Sequence, residues 1–408
     1  WKLMIWSKEY LKKNYIKLLV PICVVLVLAY LNYAINYAVG YKLVYVHHSH
    51  AVAIILWVLL GFFQLELLVY WVLIFLVGPG KSPVFPPIDL YGENNKGLIP
   101  LPDLFFCDEK GFPYYCSNSN SIKLERSFFS KDVGYNVIKF DHYCIWIGQP
   151  IGQDNYLFFM KFMMGFLAFF IIVLIYCARF TRESIQQGEI DHNFIVLFVM
   201  SGFWIIMIGC LFGIHLRYVS INMTTLDEIT INQRKRYNRW KDARKNPNMP
   251  SWMKTKNPPR KETGRRYVNV KHKTGRAIVR YYIDERPFDM GFRRNWINLV
   301  FNGNRNHGKD DEFYTLWRLA AAFVVFIIPF IDIPFSFRGK LQVKDDVEQE
   351  LHEQENLLAK YTVYSSVVND KFMNMIDEKL KKNSYSAPGY LVETTPQNNQ
   401  STIDKDSI

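Results

Sequence analysis

The chain has 408 residues, 50% of them apolar or aromatic, and a net charge of +12. That pairing suits apolar segments in a bilayer joined by basic loops in water. Six cysteines in such a length are too sparse for a disulfide framework.

Lys2, Lys8, Lys12, Lys13 and Lys17 precede the first long apolar run, residues 18–39. Further runs follow at 51–77, 157–180 and 194–216. Each reaches the roughly 20 apolar residues that a helix needs to cross a bilayer. The first is too long for the apolar part of a signal peptide and has no small-residue cleavage site after it. Basic residues stay on the cytosolic side, so the leading lysines place the N-terminus there. Four crossings return the C-terminus to the same side. The stretch 231–282 agrees, with seventeen Lys and Arg against Asp242 and Glu262. Residues 78–156 then face the cytosol, and the short loops 40–50 and 181–193 face the lumen or exterior.

A fifth apolar run, 319–335, is interrupted by Pro329, Asp332 and Pro334 and reads as a segment lying against the membrane. Two ionisable residues fall inside spans, where charge is costly. Lys161, near a span end, is expected to snorkel to the headgroups. Glu66 is expected to find a polar neighbour or a proton. Cys23, Cys177 and Cys210 sit in apolar runs, where a buried inert thiol is the expectation. His47, His48 and His50 have no carboxylate beside them, and no metal is expected there. Residues 346–360 could form an amphipathic helix through Val347, Leu351 and Leu358. From Asn383 onward the composition predicts disorder.

Chemistry concentrates in Asp141-His142-Tyr143-Cys144, shortly before the third span. A cysteine nucleophile works as a thiolate. A histidine can take its proton, and a carboxylate can fix the imidazole and stabilise its charged form. All three roles are filled within four residues, although neighbours in sequence point in different directions. At the membrane surface such a thiol could meet both an acyl chain in the bilayer and a thioester head in water.

The stretch resembles the active-site motif of the DHHC protein acyltransferases, in the subgroup reading DHYC. The match runs from Asp141 through Trp146, Ile147, Ile151, Gly152 and Asn155 to Phe159. Gly78-Pro79-Gly80 is similar to the family's Asp-Pro-Gly. Thr224-Thr225-Leu226-Asp227-Glu228 is similar to its Thr-Thr-x-Glu. Pro287-Phe288-Asp289-Met290-Gly291 with Asn295 is similar to its C-terminal motif. The resemblance covers roughly residues 1–335 and implies a mechanism. Cys144 would attack the thioester of palmitoyl-CoA and carry the acyl group, with His142 as general base and Asp141 orienting it. Trp146, Gly152, Asn155, Thr224, Thr225 and Asn295 would be structural.

The chain departs from the family at its zinc-binding loop. The family's eight ligand positions here hold Cys116, Ser119, Phe129, Ser130, Val133, Asn136, Tyr143 and Pro150, so only Cys116 survives. A structural zinc site needs four N or S ligands, so no zinc is expected. The aromatics Phe105, Phe106, Phe112, Tyr114, Tyr115, Phe128, Phe129, Tyr135 and Phe140 are expected to build a small apolar core in its place. Asp227 takes the acidic position of the Thr-Thr-x-Glu motif, with Glu228 one residue later, and Ile145 replaces a usual Pro.

The reading is an all-α polytopic membrane protein with four transmembrane helices. It has a cytosolic N-terminus (1–17), the first two spans (18–77), a cytosolic DHYC loop (78–156) and the last two spans (157–216). A basic cytosolic region (217–340) and a polar, largely disordered tail (341–408) follow. Expected partners are the membrane, fatty acyl-CoA as donor and proteins with membrane-proximal cytosolic cysteines. No permanently bound cofactor is expected. The basic stretch is read as facing anionic lipid or the phosphates of CoA rather than nucleic acid. The compartment stays open among plasma membrane, Golgi and endoplasmic reticulum. Two alternatives remain: a catalytically weak family member acting as a scaffold, and a four-span transporter using Glu66 and Lys161 as a polar relay.

Overall fold

Away from water a chain must satisfy its backbone donors and acceptors internally, and a helix does so within one segment. The computed structural model describes residues 8–91, 98, 101–186, 191–245, 263–273, 275–302, 314–336 and 368–392. It folds the four long apolar runs as helices. α1 (Lys8–Ala34) continues through a π-helical stretch, Ile35–Tyr45. α2 (His50–Val77) and α3 (Tyr156–Arg179) follow. A short α4 (Thr181–Gln186) leads to α5 (His192–Ser220), whose first turn is capped by Asp191 accepting from the amide of Asn193. Four helical stretches are long and apolar enough to cross a membrane, with mean hydropathies of 2.0 to 2.6.

The described residues fall into two compact units. The first holds the spans, residues 126–226 and the segment from Asp289. Its core runs from Leu31, Leu56 and Leu60 through Phe158, Phe166 and Phe170 to Leu197 and Trp296. A Cβ at Gly40 would stand 2.6 Å from the Trp57 indole nitrogen, so glycine lets the π-helical stretch approach α2. Cys177 is buried, whereas Cys23 and Cys210 are exposed on the span surfaces rather than buried as expected. An apolar side chain on a span can face lipid as readily as protein.

Lys161 does not snorkel. Its side chain is fully buried, and its ammonium donates to Asp332 at 2.7 Å, to the Tyr70 hydroxyl at 3.0 Å and to the Ile328 carbonyl at 3.0 Å. The Tyr70 hydroxyl also donates to Asp332 at 2.7 Å and accepts from the Phe330 amide at 2.8 Å. These bonds hold the chain after α8 (Leu316–Ile327) against α2 and α3. α8 has 12 residues, about 18 Å of helix at 1.5 Å per residue, well short of the roughly 30 Å hydrocarbon core. Asp332, read as an interruption of the fifth apolar run, is the partner that lets Lys161 stay buried. Lys161 sealed against Asp332 also removes one member of the polar relay that a transporter would need. Glu66 is buried and lines a cavity of about 230 Å³ with Phe62, Phe63, Met164, Gly165, Ala168, Ile327 and Pro329.

The second unit corrects the all-α expectation. β1 (Leu104–Cys107), β8 (Arg265–His272) and β9 (Gly275–Tyr282) form an antiparallel sheet in the order β1-β8-β9. One face buries Leu104, Phe106, Val268, Val270, Ala277, Val279 and Tyr281. A helix, Asp370–Lys381, lays Phe372, Ile376 and Leu380 on that face, with Asn369 as its N-cap. The opposite face packs Phe105, Cys107 and Ile278 with Phe85, Ile88, Ile122 and Leu124. The basic region therefore holds strands, and part of the tail expected to be largely disordered is a helix. Both faces of this sheet are covered, so residues 268–270 and 277–279 are buried consecutively and no period-two pattern marked the strands among their Lys and Arg. The helix expected at 346–360 lies outside the described residues, as do 246–262 of the basic stretch and 393–408 of the tail.

Candidate functional site

The strand β6 (His142–Cys144) pairs antiparallel with β7 (Gln149–Ile151), matching His142 with Ile151 and Cys144 with Gln149. Residues two apart in a strand share a face. The hairpin thus turns His142 and Cys144 the same way and Tyr143 the other. Its turn closes with the Gly148 amide donating to the Cys144 carbonyl at 2.8 Å.

Neighbouring motifs lock the hairpin to the spans. A Cβ on Gly152 would fall 2.4 Å from the Pro79 carbonyl oxygen and 2.5 Å from Val137, so only glycine fits beside the Gly78-Pro79-Gly80 turn. Asn155 is fully buried. Its Oδ1 accepts from the Gly152 amide at 2.9 Å, and its Nδ2 donates to the carbonyls of Pro150 at 2.9 Å and Ile74 at 3.4 Å. One side chain thereby joins the end of β7, the last turn of α2 and the start of α3. Trp71 donates to the Ile147 carbonyl at 3.4 Å, and exposed Trp146 stands edge-on to Trp204. Asn295, in α7 (Phe292–Ile297), donates to the Ser220 carbonyl at 2.9 Å and to Asp289 at 2.8 Å, tying α7 to the end of α5.

Cys144 is buried in the apolar core of the first unit. It shares a strand face with His142, whose Nδ1 lies 2.6 Å from Asp141 Oδ2. Asp141 is buried and doubly held by Thr225, whose amide donates to Oδ1 and whose hydroxyl donates to Oδ2, both at 2.7 Å. Thr225 opens α6 (Thr225–Lys245), so the carboxylate also meets the positive end of a helix. Burial alone would raise the Asp141 pKa. The hydrogen bond and charge of His142, the nearby His215 and the Thr225 amide overcome it and hold the carboxyl below its usual range. Burial would lower His142, but its bonds to Asp141 and Cys144 and the charge of Asp141 lift it from the ordinary 6.5 to about 9.

His215, on α5, escaped sequence reasoning. It is buried, its Nδ1 lies 2.7 Å from the Tyr156 hydroxyl, and its ring centre stands 5.9 Å from that of His142. The signal was thin, a lone histidine in an apolar run more than seventy positions from the motif. Thr225 was expected as structural but bonds the Asp141 carboxylate directly. Thr224 is buried next to it.

Ligand atoms of Asp141, His142 and His215 lie within 4.8 Å of one another, close enough to hold a cation. Both Asp141 oxygens are already engaged by Thr225 and His142, however. The zinc ions of the DHHC family do not fit the residues present at that family's ligand positions. Phe129 and Ser130 stand in β4 (Phe128–Ser130), paired with Asn136 and Tyr135 of β5 (Tyr135–Val137). Tyr143 pairs with Pro150. These positions supply ladder bonds and carbon rather than thiolates or imidazoles. The aromatics do not form one replacement core. Phe105 and Phe106 are buried in the second unit, while Phe128 and Phe140 touch in the first, and Phe129 and Val133 are only half-buried. Among the other cysteines, Cys107 is fully buried and burial pushes its thiol up.

Residues 109–232 match the family model described as DHHC palmitoyltransferase. The chain is 99% identical over 405 residues to the palmitoyltransferase PFA5 of Candida albicans, an alignment covering 99% of this chain and all of that protein. It is 30% identical over 252 residues to the Kluyveromyces lactis palmitoyltransferase PFA5, covering 58% of this chain and 71% of that one. Against the Saccharomyces cerevisiae palmitoyltransferase PFA5 it is 26% identical over 254 residues, 57% of this chain and 68% of the other.

Proposed function

The chain belongs to the DHHC palmitoyltransferase family and is a protein S-palmitoyltransferase, and from that premise we propose that Cys144 carries the acyl group, with His142 as its base and Asp141 behind it. The observation that carries the assignment is that the hairpin turns Cys144 and His142 to one face, with the His142 ring bonded to a buried Asp141 that Thr225 holds.

The steps balance in atoms and protons. His142 takes the proton of Cys144, and Sγ attacks the carbonyl carbon of the acyl-CoA thioester. The bond from that carbon to the CoA sulfur breaks, and His142 returns its proton to the departing thiolate. A substrate cysteine then gives its proton to His142 and attacks the acyl-enzyme, and Cys144 leaves and is reprotonated. One thioester replaces another at each step, so the protein's contribution is mainly positioning and thiolate formation.

The donor is an acyl-CoA, and palmitoyl-CoA is the proposed form. The site faces the cytosol, a reading supported by the lysines before the first span and the basic stretch after the fourth. Substrates are proteins whose cysteines lie close to that membrane face. The loop works without zinc at the family's two sites, because the residues there are of the wrong chemistry.

Purified protein incubated with labelled palmitoyl-CoA should form a hydroxylamine-sensitive adduct that Cys144→Ser abolishes at normal expression. A stable adduct on another cysteine, or one surviving in Cys144→Ser, refutes the assignment. A metal assay finding about two equivalents of zinc per chain refutes the zinc-free reading.

A further inference from the structure

The triad accounts for every proton in the reaction, yet a fourth buried polar group stands against it. His215 occupies the last turns of α5, is 2% exposed, and is bonded through Nδ1 to the Tyr156 hydroxyl at 2.7 Å. Tyr156 is the first residue of α3 and is itself buried. A ring nitrogen of His215 lies within 4.8 Å of both an Asp141 oxygen and a His142 nitrogen. Phe159 completes a triangle of rings, 5.3 Å from His142 and 5.2 Å from His215 between centres, edge-on to each. Tyr218 stands edge-on to the other flank of His215 at 5.5 Å.

The groups facing the Asp141–His142 pair are therefore Cys144, Thr225 and His215, with Tyr156 and Tyr218 behind. Thr225 covers Asp141 from the start of α6. On the α5 side the ring nearest the pair is His215, with Tyr218 beyond it. Its position there is fixed by the Tyr156 hydrogen bond, since an imidazole bonded at one nitrogen loses its freedom to turn. An apolar residue would leave the Tyr156 hydroxyl without its partner in the core, and a smaller one would leave room for water beside Asp141. Water at Asp141 would compete with His142 for the carboxylate and free the imidazole to rotate away from Cys144.

We propose that His215, held by Tyr156, is a positioning residue for the acyl-transfer reaction, closing the Asp141–His142 pair against water and holding the His142 ring within reach of Cys144. This rests on the assignment of Cys144 and His142 above. It joins the ends of α3 and α5 to the hairpin, so the spans themselves contribute to the geometry of the reacting pair. Nothing in His215 need gain or lose a proton during turnover.

The test is the single-turnover rate of adduct formation on full-length purified protein with excess labelled palmitoyl-CoA, followed across pH. His215→Ala should lower the rate by about tenfold to a hundredfold, the scale of a small misplacement, with the KM for the acyl-CoA unchanged. Its acid limb, set by the base His142, should move down from about 9 toward the ordinary 6.5 of a free imidazole. His215→Asn keeps an acceptor where Nδ1 stands and should recover most of the rate. Tyr156→Phe keeps the fold and should shift rate and limb in the same direction by less. A wild-type rate and limb in His215→Ala and Tyr156→Phe overturns the proposal. So does a lowered rate with the limb unmoved, which marks a folding role alone, or an Asn variant no better than Ala. Cys144→Ser run in parallel separates the two readings. An adduct surviving there overturns the site assignment, whereas its loss beside an unaffected His215→Ala overturns this inference only.

Discussion

Two buried carboxylates in the first unit each hold a basic side chain, and they serve opposite ends. Asp332 meets Lys161 at 2.7 Å with exposures of 2% and 0%, and the remaining ammonium bonds go to Tyr70 and a carbonyl. Asp141 meets His142 at 2.6 Å, but the imidazole side chain is 26% exposed and its other side reaches the Cys144 thiol. The first pair is sealed from solvent, so its charges can only hold parts together. The second stays partly open, and its imidazole is the proposed proton acceptor. A buried ion pair by itself does not mark a reacting site; what distinguishes the second is a partly exposed imidazole on the same strand face as a cysteine.

The contrast can be broken most directly at its sealed member. Asp332→Ala should destabilise the protein by about 3–5 kcal/mol, because it strands the Lys161 charge in the core. Pairing Lys161→Met with Asp332→Leu should recover most of that, read as the thermal midpoint in detergent. A single mutant as stable as wild type would show that the pair carries no weight.

At the open member, Thr225→Val removes one hydroxyl bond to the Asp141 carboxylate. Bonds to charged groups contribute about 1.5–3 kcal/mol, so the acylation rate should fall roughly tenfold to a hundredfold. Stability should change little beside the Asp332 variant. An unchanged rate would remove Thr225 from the support of Asp141.

The smallest effect is the pH dependence. His142 is raised, so its pairing with Asp141 contributes stability in full below the ordinary 6.5 and loses it as pH rises through about 9. Asp141 is depressed, so its contribution is present above the ordinary 3.8 and lost as pH falls through its lowered value. Melting across pH should therefore show a shallow loss toward pH 9 that His142→Asn removes. A wild-type loss surviving in that variant would assign the slope to another group.

The four spans were legible because a bilayer imposes a length and a composition that few other structures need. The proposed triad was legible because its three members fall within four residues, and strand alternation happens to put His142 and Cys144 on one face. The β-sheet of the second unit was obscured by its basic residues. The helix Asp370–Lys381 was missed although Phe372, Ile376 and Leu380 have helical spacing, because its overall polarity reads as tail.

Composition and local motif thus determined the membrane class, the four candidate spans and the family, and they supplied the residues proposed to react. Tertiary structure alone decided that Lys161 stays buried, that Thr225 holds Asp141 and that His215 stands behind His142. The reason is physical. Hydropathy and strand alternation act over a few residues and leave their mark in sequence. A hydrogen bond between positions 84 residues apart, such as that of Thr225 to Asp141, leaves none until the chain has folded.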